Sequence, residues 1–177
     1  GALARYELKQ FKELLPLLTE LKKDAKGTPY EQESLFLLAE VLREQKRLPD
    51  SLAEYEAAAK LPGPFKAEAL FRSGLICYQQ DNSLKAIGLL SELCKGYAEK
   101  IRVDQYEQAQ IYLGISYYQI KNNQAARDLL SKIWAIEKHE FKPDAGYYLA
   151  WLNLNEKKLE ASVNFFGELS DGYPKHQ

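Results

Sequence analysis

The sequence predicts an all-α protein built from repeated antiparallel helix pairs, and three observations lead to this fold class. In the stretch from Ala109 to Ile133, apolar residues recur at helical spacing in two arms. A polar turn, residues 121–124, separates the two arms. The same pattern recurs along the chain with small residues at fixed places, which indicates that one period governs the fold.

Each repeat carries a small residue in its first helix, a second small residue twelve positions later, and a large residue four positions after that. The first small residues, here called the anchors, are Ala39, Gly74, Gly114 and Ala150, so successive anchors lie 35, 40 and 36 residues apart. The second small residues are Ser51, Ala86, Ala126 and Ser162, and the large ones are Tyr55, Leu90, Leu130 and Phe166. One helix pair cannot bury its apolar side alone, so each pair is expected to use its neighbour as the other half of a core.

This pattern resembles the tetratricopeptide repeat (TPR), a helix–turn–helix of about 34 residues. The resemblance extends over nearly the whole chain and implies a right-handed superhelix, or α-solenoid, of stacked antiparallel helix pairs. It implies one domain, residues 1–177, with a partial first unit at about 1–28 and full units at about 29–64, 65–103, 104–141 and 142–177.

The first unit is predicted to begin inside a helix. Residues 1–9 are expected to form the end of that helix, with apolar positions at Leu3, Tyr6 and Leu8. The partner helix is predicted from about Phe11 to Lys23. Pro16 should kink or delay this second helix, because proline removes a backbone hydrogen bond.

The full units are separated by helix-breaking residues, above all Pro62-Gly63-Pro64 and Phe141-Lys142-Pro143. Their predicted helices lie near Tyr30–Gln45 and Asp50–Lys60, Lys66–Gln80 and Ser83–Gly96, Gln105–Lys121 and Asn123–Glu137, and Asp144–Asn155 and Lys157–Ser170. The longer spacing of 40 residues is explained by the segment 97–104, which is expected to lengthen a flanking helix.

Composition excludes several classes of partner. The 177 residues include 24 Lys and Arg against 25 Asp and Glu, a net charge of −1, so neither nucleic acid nor an anionic membrane surface is favoured. No apolar run approaches the length of a membrane span.

Cys77 and Cys94 fall on opposite arms of one unit, at different heights along the two antiparallel helices. We therefore expect free, buried thiols rather than a disulfide.

Residues with catalytic or metal-binding chemistry are scarce. His139 and His176 lie in an inter-unit loop and near the C-terminus without Cys or carboxylate at metal-ligand spacing, so we expect both on the solvated surface. The Gly-x-Gly-x-x-Gly, phosphate-loop and Gly-x-Ser-x-Gly motifs are absent from the sequence. The sequence therefore predicts no enzyme activity, no cofactor and no metal.

The TPR resemblance implies a binding site for a protein or peptide. In this family the first helix of each unit lines a concave groove, through positions three before, one after and four after the anchor and their neighbours. The candidate groove residues are Phe36, Phe71, Arg72, Tyr78, Ile111, Tyr112, Ile115, Tyr118, Tyr147, Tyr148 and Trp151. The alternative is that these side chains only pack against the next helix. Binding is favoured because the first helix of unit four is apolar nearly all round.

One TPR subclass can be tested directly against the sequence. TPR domains that hold the C-terminal tails of heat-shock chaperones chelate the terminal carboxylate with Lys, Asn and Arg. At the matching positions this chain has a single basic residue, Arg72. Chaperone-tail capture is therefore not expected.

The predicted function is a non-catalytic scaffold for protein–protein interaction. The alternative is a structural, self-assembling segment of a larger envelope or secretion complex. The last predicted helix favours that alternative, because it carries Val163, Phe165, Phe166 and Leu169 with no polar capping helix after it. Either the native chain continues or this uncapped C-terminal helix pairs with another chain.

The C-terminal segment FFGELSDGYPKH carries a further resemblance. It is similar to the closing motif of a TPR subclass common in bacterial cell-envelope proteins, such as the coordinator of the Tol–Pal system and the lipoprotein of the outer-membrane barrel-assembly machinery. This implies a bacterial protein of the periplasm or cell envelope, with the cytoplasm as the alternative.

Overall fold

The computed structural model describes the backbone of residues 11–173 and the side chains of residues 14–173. Within this range every regular element is helical, which confirms the all-α prediction. None of these helices has the length and apolar content that a membrane crossing requires. The α-helices are α1 (Phe11–Asp24), α2 (Glu31–Glu44), α3 (Leu48–Lys60), α4 (Lys66–Gln79), α5 (Ser83–Gly96), α6 (Val103–Gln119), α7 (Asn123–Ala135), α8 (Lys142–Asn155) and α9 (Leu159–Gly172), with a short 3₁₀ helix at Ala98–Lys100.

The helices form a stack of pairs. Each helix packs on the next one along the chain, from α1 on α2 to α8 on α9. The first helices of neighbouring pairs also touch, because α4 contacts α6 and α6 contacts α8. The chain is therefore a TPR-like solenoid, and α2, α4, α6 and α8 form what we call the inner wall. The predicted helix at residues 1–9 lies outside the described residues, as does His176, and Pro16 lies within α1.

The two inner pairs cross at glycine anchors. A methyl group on Gly114 would lie 2.8 Å from Cδ2 of Leu130, and one on Gly74 would lie still closer to Leu90. All four of these residues are buried. Glycine is required at both anchors because the partner leucine occupies the space that a side chain would need.

The two outer pairs cross at alanine anchors and use a hydrogen bond in addition. The hydroxyl of Ser51 donates to the backbone carbonyl of Ala39 at 2.8 Å, and that of Ser162 donates to the carbonyl of Ala150 at 3.0 Å. Both serines are buried. Each hydroxyl therefore finds its acceptor on the partner helix, as a buried polar group must.

A left-handed residue stands at the turn inside each of the four pairs. The residues concerned are Lys46, Asp81, Lys121 and Lys157, with φ between 57° and 61°. In the third turn the N–H of Asn122 donates to the carbonyl of Tyr117 at 2.9 Å, and equivalent bonds close the other three turns. This is the Schellman ending of a helix, in which the left-handed position is usually glycine.

The additional residues of the third unit form a turn and a longer helix. The 3₁₀ helix follows α5, and α6 begins at Val103, so α6 has 17 residues where α2, α4 and α8 have 14. The predicted lengthening of a flanking helix therefore falls on α6. Cys77 and Cys94 are free thiols, as predicted, the first buried and the second half-buried.

His139 is buried, which corrects the expectation that it lies on the solvated surface. Its Nδ1 atom accepts a hydrogen bond of 3.1 Å from the backbone N–H of Phe141 at the start of α8. The adjacent N–H of Glu140 donates to the carboxylate of Glu107 on α6, which holds the loop against the stack. Burial lowers the pKa of His139 below its usual value of 6.5, so the imidazole is neutral at pH 7.

Candidate functional site

Four half-buried tyrosines from three successive first helices form the centre of the candidate site, which we call the tyrosine cluster: Tyr78 on α4, Tyr112 and Tyr118 on α6, and Tyr148 on α8. The rings of Tyr78 and Tyr112 stack with centroids 4.2 Å apart, and those of Tyr118 and Tyr148 meet edge to face at 5.3 Å. Their spacing follows from the repeat, because Tyr78 and Tyr118 lie four residues after an anchor and Tyr112 and Tyr148 two before one.

Amide side chains direct hydrogen bonds at the phenol oxygens of this cluster. Nδ2 of Asn155 donates to the hydroxyl of Tyr118 at 3.3 Å, and Nε2 of Gln108 donates to the hydroxyl of Tyr112 at 3.4 Å. Burial raises the pKa of Tyr78 to about 12, and it also raises the pKa of Tyr148. The phenols of Tyr78 and Tyr148 are therefore neutral at physiological pH and keep a proton that can be donated to a ligand.

Two depressions are lined in part by α8, and one of them borders the tyrosine cluster. One, of about 450 Å³, is lined by Tyr118, Gln119, Lys121, Asn123 and Asn155. The other, of about 230 Å³, is lined by Pro143, Asp144, Tyr147 and Leu169. A segment bound in the first depression would meet the ring of Tyr118 and the amide of Asn155 together.

The N-terminal part of the inner wall is a network of paired charges. Glu40 on α2 is buried and binds the hydroxyl of Tyr55, and it pairs with Arg43 at 3.1 Å and with Arg72 at 3.5 Å. Arg72 pairs in addition with Glu68 at 2.9 Å. Burial and the neighbouring Glu40 carboxylate raise the pKa of Tyr55. Arg72 is thus held by two carboxylates of its own chain, which leaves it poorly placed to capture a terminal carboxylate.

Some of the candidate groove residues are buried between helices. Phe71 packs with residues of α6, and Ile111 and Ile115 pack with residues of α8, so these three side chains are covered by the next pair. Phe36 is half-buried and stacks on Phe65 with centroids 5.0 Å apart. The alternative that the side chains only pack against the next helix therefore fits these four residues. It fits the tyrosine cluster less well.

Tyr147 and Trp151 occupy the positions in the last pair that Ile111 and Ile115 occupy in the pair before. Among the described residues, no first helix of a following pair packs over these two side chains. Tyr147 is 45% exposed and Trp151 is 36% exposed. Both rings meet Phe166 edge to face, at 6.3 and 6.1 Å. They belong to the end face of the stack rather than to the tyrosine cluster.

Four residues that complete the tyrosine cluster are not among the candidate groove residues, although two of them, Gln108 and Asp144, match positions of the chaperone-tail clamp. Gln108 and Asn155 bond its hydroxyls, Phe141 lies 6.3 Å from Tyr112, and Asp144 acts electrostatically on Tyr78 and Tyr148. A signal for two of them was present, because Gln108 and Asp144 both lie six residues before an anchor. Phe141 lies in an inter-unit connection, where the repeat pattern carries no information.

The comparisons with known proteins agree with this architecture. Residues 36–101 match the family model of the tetratricopeptide repeat, and no curated protein matches the chain in sequence. The fold is similar to MamA, residue 41 to the end, from Desulfovibrio magneticus RS-1, with a TM-score of 0.71 at 15% identity over 96% of this chain and 89% of that chain. It is also similar to the nearly identical TPR-like repeats of a kinesin light chain from Podosopora anserina. The TM-score is 0.67 at 16% identity over 99% of this chain and 93% of that chain. A third similar structure is a tetratricopeptide repeat protein from Parabacteroides merdae, with a TM-score of 0.73 at 17% identity over 98% of this chain and 64% of that chain.

These findings differ in what they establish. The family match confirms the resemblance to the tetratricopeptide repeat, and the similar structures confirm the solenoid fold. The placement in a bacterial cell-envelope subclass stays a prediction.

Proposed function

We propose that this chain, of which residues 36–101 match the tetratricopeptide-repeat family model, is a non-catalytic interaction module that holds a segment of a partner protein against its inner wall. Repeat solenoids expose an extended concave surface of this kind. The contact residues of the proposed site are Tyr78, Tyr112, Tyr118 and Tyr148, with Asn155 and Gln108 as polar contacts.

The observation that carries this proposal is the chemistry of the tyrosine cluster. Its rings are half-buried and rest on one another, so they lose little conformational freedom when a ligand binds. Each ring offers apolar area together with a hydroxyl, a combination that is enriched at protein interfaces. A core that served packing alone would gain nothing from a row of partly exposed phenols.

The test uses peptides selected from a random library displayed on phage against the full chain. Tyr118→Ala and Tyr148→Ala should each weaken binding of the selected peptides about tenfold, because buried aromatic anchors dominate such interfaces. Tyr30→Ala is the matched control, since Tyr30 is exposed at the start of α2 and away from the cluster. Binding that is unchanged by both cluster variants, with helicity intact by circular dichroism, would refute the proposal.

A second candidate function is self-assembly through the end face, which a specific observation favours. Leu159 and Val163 on α9 are 62% and 67% exposed. The residues at the same positions in earlier pairs contact the next first helix: Ser83 donates to Gln119 at 2.6 Å, and Arg127 donates to Asn153 at 3.0 Å. The register of the stack therefore supports a second copy packing on this face. Sedimentation should then show a mass that rises with concentration, and Val163→Glu should keep the chain monomeric.

The bacterial envelope is the location that we propose, with the cytoplasm as the alternative. The support is the Phe165-to-Tyr173 segment, which resembles the close of the envelope TPR subclass. Fractionation of the native cell would decide between the two, since a periplasmic protein is released by osmotic shock and a cytoplasmic one is not.

A further inference from the structure

We propose that the partner segment carries a basic side chain, Lys or Arg, that lies against the rings of Tyr78 and Tyr148 and pairs with the carboxylate of Asp144. This inference rests on the proposed function and names the chemistry of the ligand. Asp144 and Tyr148 lie four residues apart on α8, so they share one face of that helix, and Tyr78 comes from α4, which like α8 contacts α6.

The geometry brings aromatic rings and a carboxylate together. Tyr112 stacks on Tyr78 at 4.2 Å, and Tyr147 meets Tyr148 edge to face at 5.4 Å, so the rings are fixed by their neighbours. Asp144 lies in the first turn of α8 and lines the depression that Tyr147 also lines. All of these side chains except Tyr147 are half-buried, so each keeps part of its surface open to solvent.

The electrostatics of this surface favour a cation. Burial is the main cause that raises the pKa of Tyr78, and the carboxylates of Asp144 and Asp81 raise it further, so negative charge acts on this ring. Among the described side chains, no Lys or Arg forms an ion pair with Asp144.

Three cations of the neighbouring helices are engaged in other contacts. Lys142 lies over the ring of Trp134 at 5.1 Å, and Arg127 pairs with Glu156 at 2.9 Å. Arg72 is held by Glu40 and Glu68. Among the described side chains, these three cations are therefore not available as counter-ions to Asp144.

A basic side chain is the ligand that satisfies both parts of the surface. The faces of tyrosine rings attract ammonium and guanidinium groups, and a carboxylate beside them adds a charged hydrogen bond. An acidic or phosphorylated side chain would be repelled by Asp144. A purely apolar side chain would remove water from that carboxylate without replacing its hydrogen bonds, which is costly.

The experiment is an NMR titration of the full chain with N-acetyl-arginine amide and, in parallel, with N-acetyl-citrulline amide, its uncharged isostere. The arginine probe should shift the ring signals of Tyr78 and Tyr148, and the citrulline probe should bind about fivefold more weakly, as expected for loss of a cation–π contact and an ion pair. Asp144→Asn should remove this preference. Asp128→Asn is the matched control, because Asp128 is an exposed carboxylate on α7 bonded to Gln124.

Equal binding of the two probes, or no shift of either ring, overturns the inference. Its failure is distinguishable from failure of the proposed function. Phage-selected peptides that depend on Tyr118 but show no enrichment of Lys or Arg would reject the basic side chain and leave the inner-wall site standing. Selective arginine binding without any cluster-dependent peptide would support the cation site and reject the proposed function.

Discussion

Gly114 and Leu130 approach so closely that a methyl group on the glycine would lie 2.8 Å from Cδ2 of the leucine. Both residues are buried where α6 crosses α7, so the added methyl group would displace the leucine or the backbone. Protein interiors are packed as densely as organic crystals, so even one added carbon atom changes the stability.

Gly114→Ala should therefore lower the free energy of unfolding by about 1–3 kcal/mol, the usual cost of overpacking. Urea denaturation followed by circular dichroism measures this change. Gly88→Ala is the control, because Gly88 is helical, exposed and without any heavy atom within 4 Å of the added carbon. That variant should raise the free energy of unfolding by about 0.5–1 kcal/mol through helix propensity. Equal effects at the two positions would contradict the crossing argument.

Lys121 is held at φ 61° in the turn between α6 and α7. An L-residue in this conformation places Cβ too close to the following carbonyl, and glycine does not. Lys121→Gly should raise the free energy of unfolding by about 0.5–1 kcal/mol, after subtraction of the chain entropy that glycine adds.

The control for that variant is the same substitution inside a helix. Lys132 is exposed within α7, and Lys132→Gly should lower the free energy of unfolding by about 1 kcal/mol. Thermal or urea denaturation of both variants measures the two changes in the free energy of unfolding. A loss of stability at both positions would mean that the turn does not favour glycine.

His139 makes stability depend on pH. Burial lowers the pKa of the folded imidazole below 6.5, so the unfolded chain takes up a proton first as the pH falls. The contribution of His139 to stability is thus fully present above pH 6.5 and is lost as the pH falls from 6.5 toward the lowered pKa of the folded state. The urea concentration at the midpoint of unfolding should decrease as the pH is lowered from about 7.5 to about 5. His139→Gln removes this titration, and an unchanged pH profile in that variant would exclude His139 as the cause.

The two thiols should react slowly in the folded chain. Burial raises the pKa of Cys77 and of Cys94 to about 11, so little thiolate is present at neutral pH. Mass spectrometry after treatment with iodoacetamide at pH 7.5 should show alkylation at least about tenfold slower in buffer than in urea. Fast labelling of Cys94 in buffer would show that its half-buried site opens readily.

The helices could be predicted closely because their signal is local. Anchors, breakers and apolar spacing all lie within one pair, and every predicted end of the full units falls within two residues of the observed one. The positive φ at Lys121 was not predictable, because lysine carries no preference for that conformation. What fixes it is the packing of α6 on α7.

The site was less predictable, because exposure depends on the neighbouring pair. Positions three before and one after the anchor are buried at Ile111 and Ile115, where α8 covers them, and exposed at Tyr147 and Trp151, where no described helix does. The sequence places these residues equivalently. Likewise, nothing local in the sequence indicates that Arg72 pairs with Glu40 of another helix.

The two kinds of helix crossing limit how this protein can be recombined. A chimaera that joined α2 to α5 would press the methyl of Ala39 against Leu90, whereas the native glycine leaves room for that leucine. Joining α4 to α3 would instead set a glycine opposite Tyr55 and leave a gap. The smallest exchangeable module is therefore a whole hairpin, and evolutionary or engineered shuffling of this chain should respect hairpin borders.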